Sequence, residues 1–272
     1  MIEMLKYPFM VNALTVGVLI AICCALLGVV LVLKRYSMIG DGLSHVGFGA
    51  LSIAAVLNLN SPIWFSLPIV MIAAFFLLRI TESSRINSDA AIGVISSSAL
   101  AIGVFAASIN GTNINLQQYM FGSILSVGET DIAVSIVISV FVILMFILFY
   151  NKIFAITFDE NFSKATGINT KLYNLAISLL TAVTIVIGMR MLGTLLISAM
   201  IIFPALTSMR LCKRFLTVII TSVMVSVFCV VAGLYTSFEV NDIPVGATIV
   251  ILNLILFLIF SLISIVMRKL KK

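Results

Sequence analysis

Charged positions are sparse along this chain, and the stretches between them are long. Uncharged runs cover residues 7–33, 42–78, 90–128, 132–151, 172–189, 191–209, 215–238 and 243–267. A helix crosses a hydrocarbon core of ~30 Å in ~20 residues, with a range that reaches down to ~17, so each run can span a bilayer. Two runs are too long for one crossing, and turn chemistry breaks both. Asn58-Leu59-Asn60-Ser61-Pro62 interrupts the first, and Asn110-Gly111-Thr112-Asn113 continuing to Gln118 interrupts the second. Such residues favour irregular backbone, which lipid cannot satisfy. The pattern predicts an all-α, polytopic integral membrane helix bundle in a single domain, residues 1–272. Nine segments follow, near 10–33, 39–57, 62–80, 90–109, 132–150, 174–189, 192–209, 215–237 and 244–267. Eight is the alternative, because Gly188-Met189-Arg190-Met191-Leu192-Gly193 must turn the chain in very few residues.

Composition sharpens this picture. Hydrophobic residues make up 62% of the chain and charged residues 10%, against roughly half and a quarter in a soluble domain, so a water-soluble domain is excluded. The net charge of +6 reports topology. With the N-terminus outside, the inner loops collect every Lys and Arg except Lys6 and Arg190, the bias that marks cytoplasmic loops. That requires an odd number of crossings and a cytoplasmic C-terminus. The basic residues are dispersed without interleaved aromatics, so nucleic acid is not a predicted partner. The first run is preceded by Glu3 and is longer than a signal-peptide core, which makes it the first helix. Cys23, Cys24, Cys212 and Cys229 lie in or beside apolar runs and are read as small core residues.

Three stretches carry candidate chemistry. The second segment places Asp41 and His45, the only histidine, four residues apart, on one helix face, with Ser44 alongside. A carboxylate and an imidazole so arranged can share one divalent cation, or they can hydrogen-bond and lock two helices together. Ionisable residues inside a membrane are expensive and tend to mark ion paths. The inner loop from Phe158 to Asn169 reads as a short cytoplasmic helix: Asp159 caps it, Glu160 suits its first turn, Phe158 and Phe162 form an aromatic ridge, and Gly167 stops it. That helix is either interfacial or a docking helix for a cytoplasmic partner. Pro204, within the stretch from Gly193 to Leu206, permits a bend.

Taken together, these stretches resemble the permease subunits of the bacterial ATP-binding-cassette importers for zinc, manganese and iron(II), the ABC-3 family of the ZnuB and MntB type. The resemblance rests on Lys34-Arg35 followed by Gly40-Asp41-Gly42-Leu43-Ser44-His45; on Asp89-Ala90-Ala91-Ile92-Gly93; on Tyr119-Met120-Phe121-Gly122; on Phe158 to Gly167; on Gly193-Thr194-Leu195-Leu196 leading to Pro204-Ala205; and on Pro244-Val245-Gly246-Ala247. The resemblance implies a multi-pass protein of the bacterial inner membrane, a permease homodimer forming the path, and a pair of ATPase subunits on the cytoplasmic side. It further implies an extracytoplasmic metal-binding protein that delivers the ion. Asp41 and His45 would line the metal path, and Phe158, Asp159, Glu160, Phe162 and Gly167 would couple to the ATPase. No cofactor is expected to stay bound; the transported metal would be zinc first and manganese next. Gly42 and Val46-Gly47-Phe48-Gly49 depart from the family pattern and imply a differently shaped path.

Other functions fit less well. No Gly is followed by Lys anywhere, so a phosphate-cradling Walker A loop is absent and ATP hydrolysis falls to another chain. An ion-coupled secondary transporter would call for several membrane acids or paired broken helices. An intramembrane enzyme would need a complete metal triad or an oriented Ser–His pair, and Ser44 and His45 are adjacent, about 100° apart on a helix. A siderophore or corrinoid importer gives no reason for an Asp–His pair.

Overall fold

The computed structural model describes residues 6–59, 62–83, 88–109, 122, 129–240 and 243–270. Among them the helices are α1 (Pro8–Leu33), α2 (Ile39–Val56), α3 (Pro62–Ser83), α4 (Ser88–Ile109), α5 (Glu129–Leu148), α6 (Tyr150–Phe158), α7 (Glu160–Ala165), α8 (Thr170–Leu192), α9 (Thr194–Leu211), α10 (Phe215–Glu239) and α11 (Val245–Leu270). No strand occurs among the described residues. Each of the nine predicted segments falls on a helix. Eight helices are long and apolar enough to cross a membrane, and α3 adds a shorter apolar stretch, Trp64–Leu77. Asn60 and Ser61, Arg85, the Asn110–Gln118 break, Tyr119–Phe121 and the Lys271-Lys272 tail lie outside the described residues.

The centre of the bundle is α1, which packs against α5, α8, α9 and α10. Between lipid-immersed helices the hydrophobic drive is small, so close packing and interhelical hydrogen bonds hold the assembly. Both are visible along α1. Gly28 lies directly on the backbone of Ile201 in α9, where any β-carbon would collide. Ser226 Oγ of α10 donates to the Ala21 carbonyl at 3.0 Å, and Cys23 Sγ reaches the Ser139 carbonyl of α5 at 3.5 Å. Cys23, Cys24 and Cys229 are buried and Cys212 is half-buried, all as free thiols, matching their reading as core residues. By contrast, α4, α5 and α11 leave many large apolar side chains exposed, among them Phe105, Ile147 and Leu262.

One connection differs from its sequence reading. A single residue, Gly193, separates α8 from α9, with φ 86° and ψ 157°, a conformation that only glycine adopts without strain. The turn is not at a surface: Leu192, Gly193 and Thr194 are all buried. Gly188 packs against both Ile197 and Ile20, so α8 and α9 form a hairpin that lies against α1. Buried irregular backbone is tolerated because protein surrounds it. Gly122, also at positive φ, sits on the backbone of Leu192 and Gly193. Arg190, expected in an outer loop, instead belongs to the last turn of α8 and pairs with Asp131 of α5 at 3.1 Å. The α9 helix runs through Pro204 without ending.

Candidate metal path and coupling helix

The helix α2 has small residues on its packed faces, and these let it sit close to its neighbours. Gly42 meets Ile92 of α4, Gly47 meets Met189 of α8, and Gly40 meets Ile201 of α9. Asp41 lies in the first turn of α2. Its Oδ1 faces the Ser198 hydroxyl of α9 at 3.4 Å, five residues past Gly193, so the acid lies against the N-terminal half of α9.

His45 Nε2 stands 3.7 Å from Asp41 Oδ2, beyond a direct hydrogen bond. His45 Nδ1 is buried and has no hydrogen-bond partner among the described residues. The imidazole is a quarter exposed and the carboxylate 42% exposed, so both side chains open onto the same space. The Ser44 hydroxyl donates to the Asp41 backbone carbonyl at 2.7 Å and is fully buried. Ser198 lies beside the Asp41 carboxylate. Its hydroxyl also reaches the Thr194 carbonyl at 3.2 Å. Sequence reasoning missed Ser198 because 157 positions separate it from Asp41. The one clue was a hydroxyl five residues past a glycine in an apolar run.

Among the described residues no group of three or more His, Cys, Asp or Glu side chains converges. Among them the site consists of the Asp41–His45 pair with the Ser198 hydroxyl beside it.

The stretch from Phe158 to Gly167 folds as predicted in its caps and differently in its ridge. Asp159 Oδ1 accepts from the Phe162 amide at 2.9 Å, Ser163 Oγ donates to the Asp159 carbonyl at 2.8 Å, and Gly167 ends the turn at φ 83°. Asp159 is itself extended, at φ −146° and ψ 96°, so it ends α6 and starts α7. Phe158 and Phe162 consequently sit on different helices and do not form one ridge. Phe158 packs on Phe154 and Phe215 with centroids 5.0 and 5.7 Å apart yet stays 59% exposed, and Phe162 projects from α7, 64% exposed. Glu160 turns inward, with Oε1 2.8 Å from Lys164 Nζ and Oε2 3.9 Å from Lys34 Nζ. Burial pushes its carboxyl up, but the Lys164 hydrogen bond, the Lys34 charge and Asn174 outweigh that and hold it below its ordinary value.

Comparison with known proteins places this geometry. The chain is 31% identical over 256 residues to the manganese transport system membrane protein MntC of Halalkalibacterium halodurans, covering 94% of this chain and 87% of that one. It is 30% identical to a probable iron transport system membrane protein of Haemophilus influenzae, covering 97% and 93%. The structure of PsaBC from Streptococcus pneumoniae in complex with Fab superposes with a TM-score of 0.83 at 28% identity, covering 94% of this chain and 91% of that chain. A putative metal-chelate type ABC transporter in an inward-facing conformation, at 13% identity and a TM-score of 0.75, shares the fold. With residues 6–264 matching its family description, the chain belongs to the ABC 3 transport family, as a multi-pass, non-catalytic permease of the cell membrane.

Proposed function

We propose that this permease carries a divalent first-row metal ion inward through a path in which Asp41 and His45 are successive or simultaneous ligands, with manganese(II) as the cargo and zinc as the nearest competitor. The observation that carries the reading is the 3.7 Å gap between Asp41 Oδ2 and His45 Nε2 on one helix face. A cation at ~2.0–2.2 Å from each ligand separates its donors by ~3–4 Å, whereas a direct hydrogen bond would draw them closer. The buried, unpartnered Nδ1 supports it too, because nothing on that side of the ring orients it toward a structural hydrogen bond. Manganese is favoured over zinc, which the residues alone put first, for two reasons. The donors include the Asp41 carboxylate and the Ser198 hydroxyl, oxygen groups that suit manganese, and the relatives carry manganese and iron in their names.

Function requires partners. A pair of ATPase subunits docks from the cytoplasm, with Phe162 of α7 as the exposed apolar contact and Phe158, backed by Phe215, beside it. An extracytoplasmic metal-binding protein delivers the ion, and two copies of this chain enclose the path. The N-terminus lies outside and the C-terminus in the cytoplasm, as the distribution of Lys and Arg requires. A reporter fused to the C-terminus is active only if it functions in cytoplasm. The function itself is tested by reconstituting the permease with its ATPase in liposomes. ATP-dependent accumulation of radioactive manganese(II), competed by zinc, is the expected result; accumulation without ATP, driven by a proton or sodium gradient, would indicate a secondary carrier instead.

A further inference from the structure

A cluster of charged and amide side chains joins α1, α7 and α8 at the end of the bundle where the coupling helix lies. Lys34 closes α1, Glu160 opens α7 and Asn174 lies near the start of α8. Lys34 Nζ donates to Asn174 Oδ1, Asn174 Nδ2 donates to Glu160 Oε2 at 3.4 Å, and Glu160 Oε2 is 3.9 Å from Lys34 Nζ. The Lys34 side chain is only 9% exposed, and Asn174 is buried. The small helix α7 therefore has two working faces: Phe162 points away from the bundle and Glu160 points into it.

The chain leaving Lys34 is short and tightly shaped. Arg35 adopts φ 63°, the Tyr36 amide donates to the Leu31 carbonyl at 2.8 Å, and the Ile39 amide donates to the Tyr36 carbonyl at 3.0 Å. Asp41 follows two residues later. A displacement of Lys34 is thus handed to the first turn of α2 through a linker with little slack.

We propose that Glu160 is a positioning residue that grips Lys34 and so transmits movement of α7 to Asp41, linking the ATPase to the metal path. The inference rests on the reading of α7 as the ATPase docking helix. The physical cause is the cost of leaving a buried ammonium without its counter-charge: when α7 shifts, Lys34 follows the carboxylate. Coupling of this kind requires that the two sites bias one shared element, here the junction of α1 and α2.

The test uses the full chain with its ATPase in liposomes, reading radioactive manganese(II) uptake and phosphate release in the same vesicles. Glu160→Gln keeps the shape and the Asn174 hydrogen bond but removes the charge. The expected result is a fall of about tenfold in metal carried per ATP, within the ordinary range of coupling between sites, with the ATPase still co-purifying. The exchanged pair Lys34→Glu with Glu160→Lys should recover most of the ratio. A ratio unchanged in Glu160→Gln, or an exchanged pair no better than either single change, overturns the inference. So does a loss of membrane-inserted protein with normal metal per ATP, which would mark the cluster as structural only. Retention of the ATPase by Phe162→Asp would instead overturn the docking reading on which the inference stands.

Discussion

The clusters around Glu160 and Asp41 are built differently. Around Glu160 both carboxylate oxygens are engaged: Lys164 lies 2.8 Å from one, and Asn174 and Lys34 approach the other. Around Asp41 the contacts are fewer and none is as short as the Lys164 bond, with His45 at 3.7 Å and Ser198 at 3.4 Å, and an imidazole nitrogen is buried without a partner. Buried polar groups are ordinarily satisfied, and one that is not calls for an explanation. The Glu160 cluster ties α1, α7 and α8 together, whereas the Asp41 pair, on the proposed reading, keeps donor capacity free for an ion that passes.

The strongest challenge to that contrast is to neutralise the pair. Asp41→Asn or His45→Gln is expected to cut metal uptake by as much as roughly 100-fold, the upper range for losing an element of a metal site, with little change in the amount of inserted protein. Next comes docking. Phe162→Asp sets a charge in the apolar contact, where it is desolvated without a partner, and should remove the ATPase from co-purification while the permease still inserts. A smaller effect is expected at the hairpin tip. Gly193→Ala forces a β-carbon into φ 86° at a cost of about 1–3 kcal/mol, read as a lower melting temperature in detergent, with uptake reduced because Ser198, five residues on, faces Asp41. The smallest is Ser198→Ala. It removes one weak oxygen donor, so uptake should fall only several-fold, on the order of 1 kcal/mol, and competition by zinc should strengthen.

The helices were legible because length and apolarity suffice to mark a membrane segment. The caps of α7 were also legible, since Asp159 and Gly167 act on residues within three or four positions. The Phe158–Phe162 ridge was not, because spacing four apart implies one face only if the helix is continuous, and Asp159 is extended between them. Nor was the setting of the metal pair. Hydropathy registers that residues 174–209 are apolar and not that their turn at Gly193 is buried. Contacts such as Asp41 with Ser198 and Lys34 with Asn174, separated by 157 and 140 positions, exist only once the helices have packed.

The most direct measurement is uptake of radioactive manganese(II) by the single and double variants of Asp41 and His45, normalised to membrane-inserted protein, in cells lacking other high-affinity importers. Two residues acting on one ion are not additive. Asp41→Asn and His45→Gln should each bring normalised uptake near the floor, and the double variant should fall no further. Wild-type normalised uptake in both single variants, with less inserted protein, would contradict the account and make the pair a structural contact between helices.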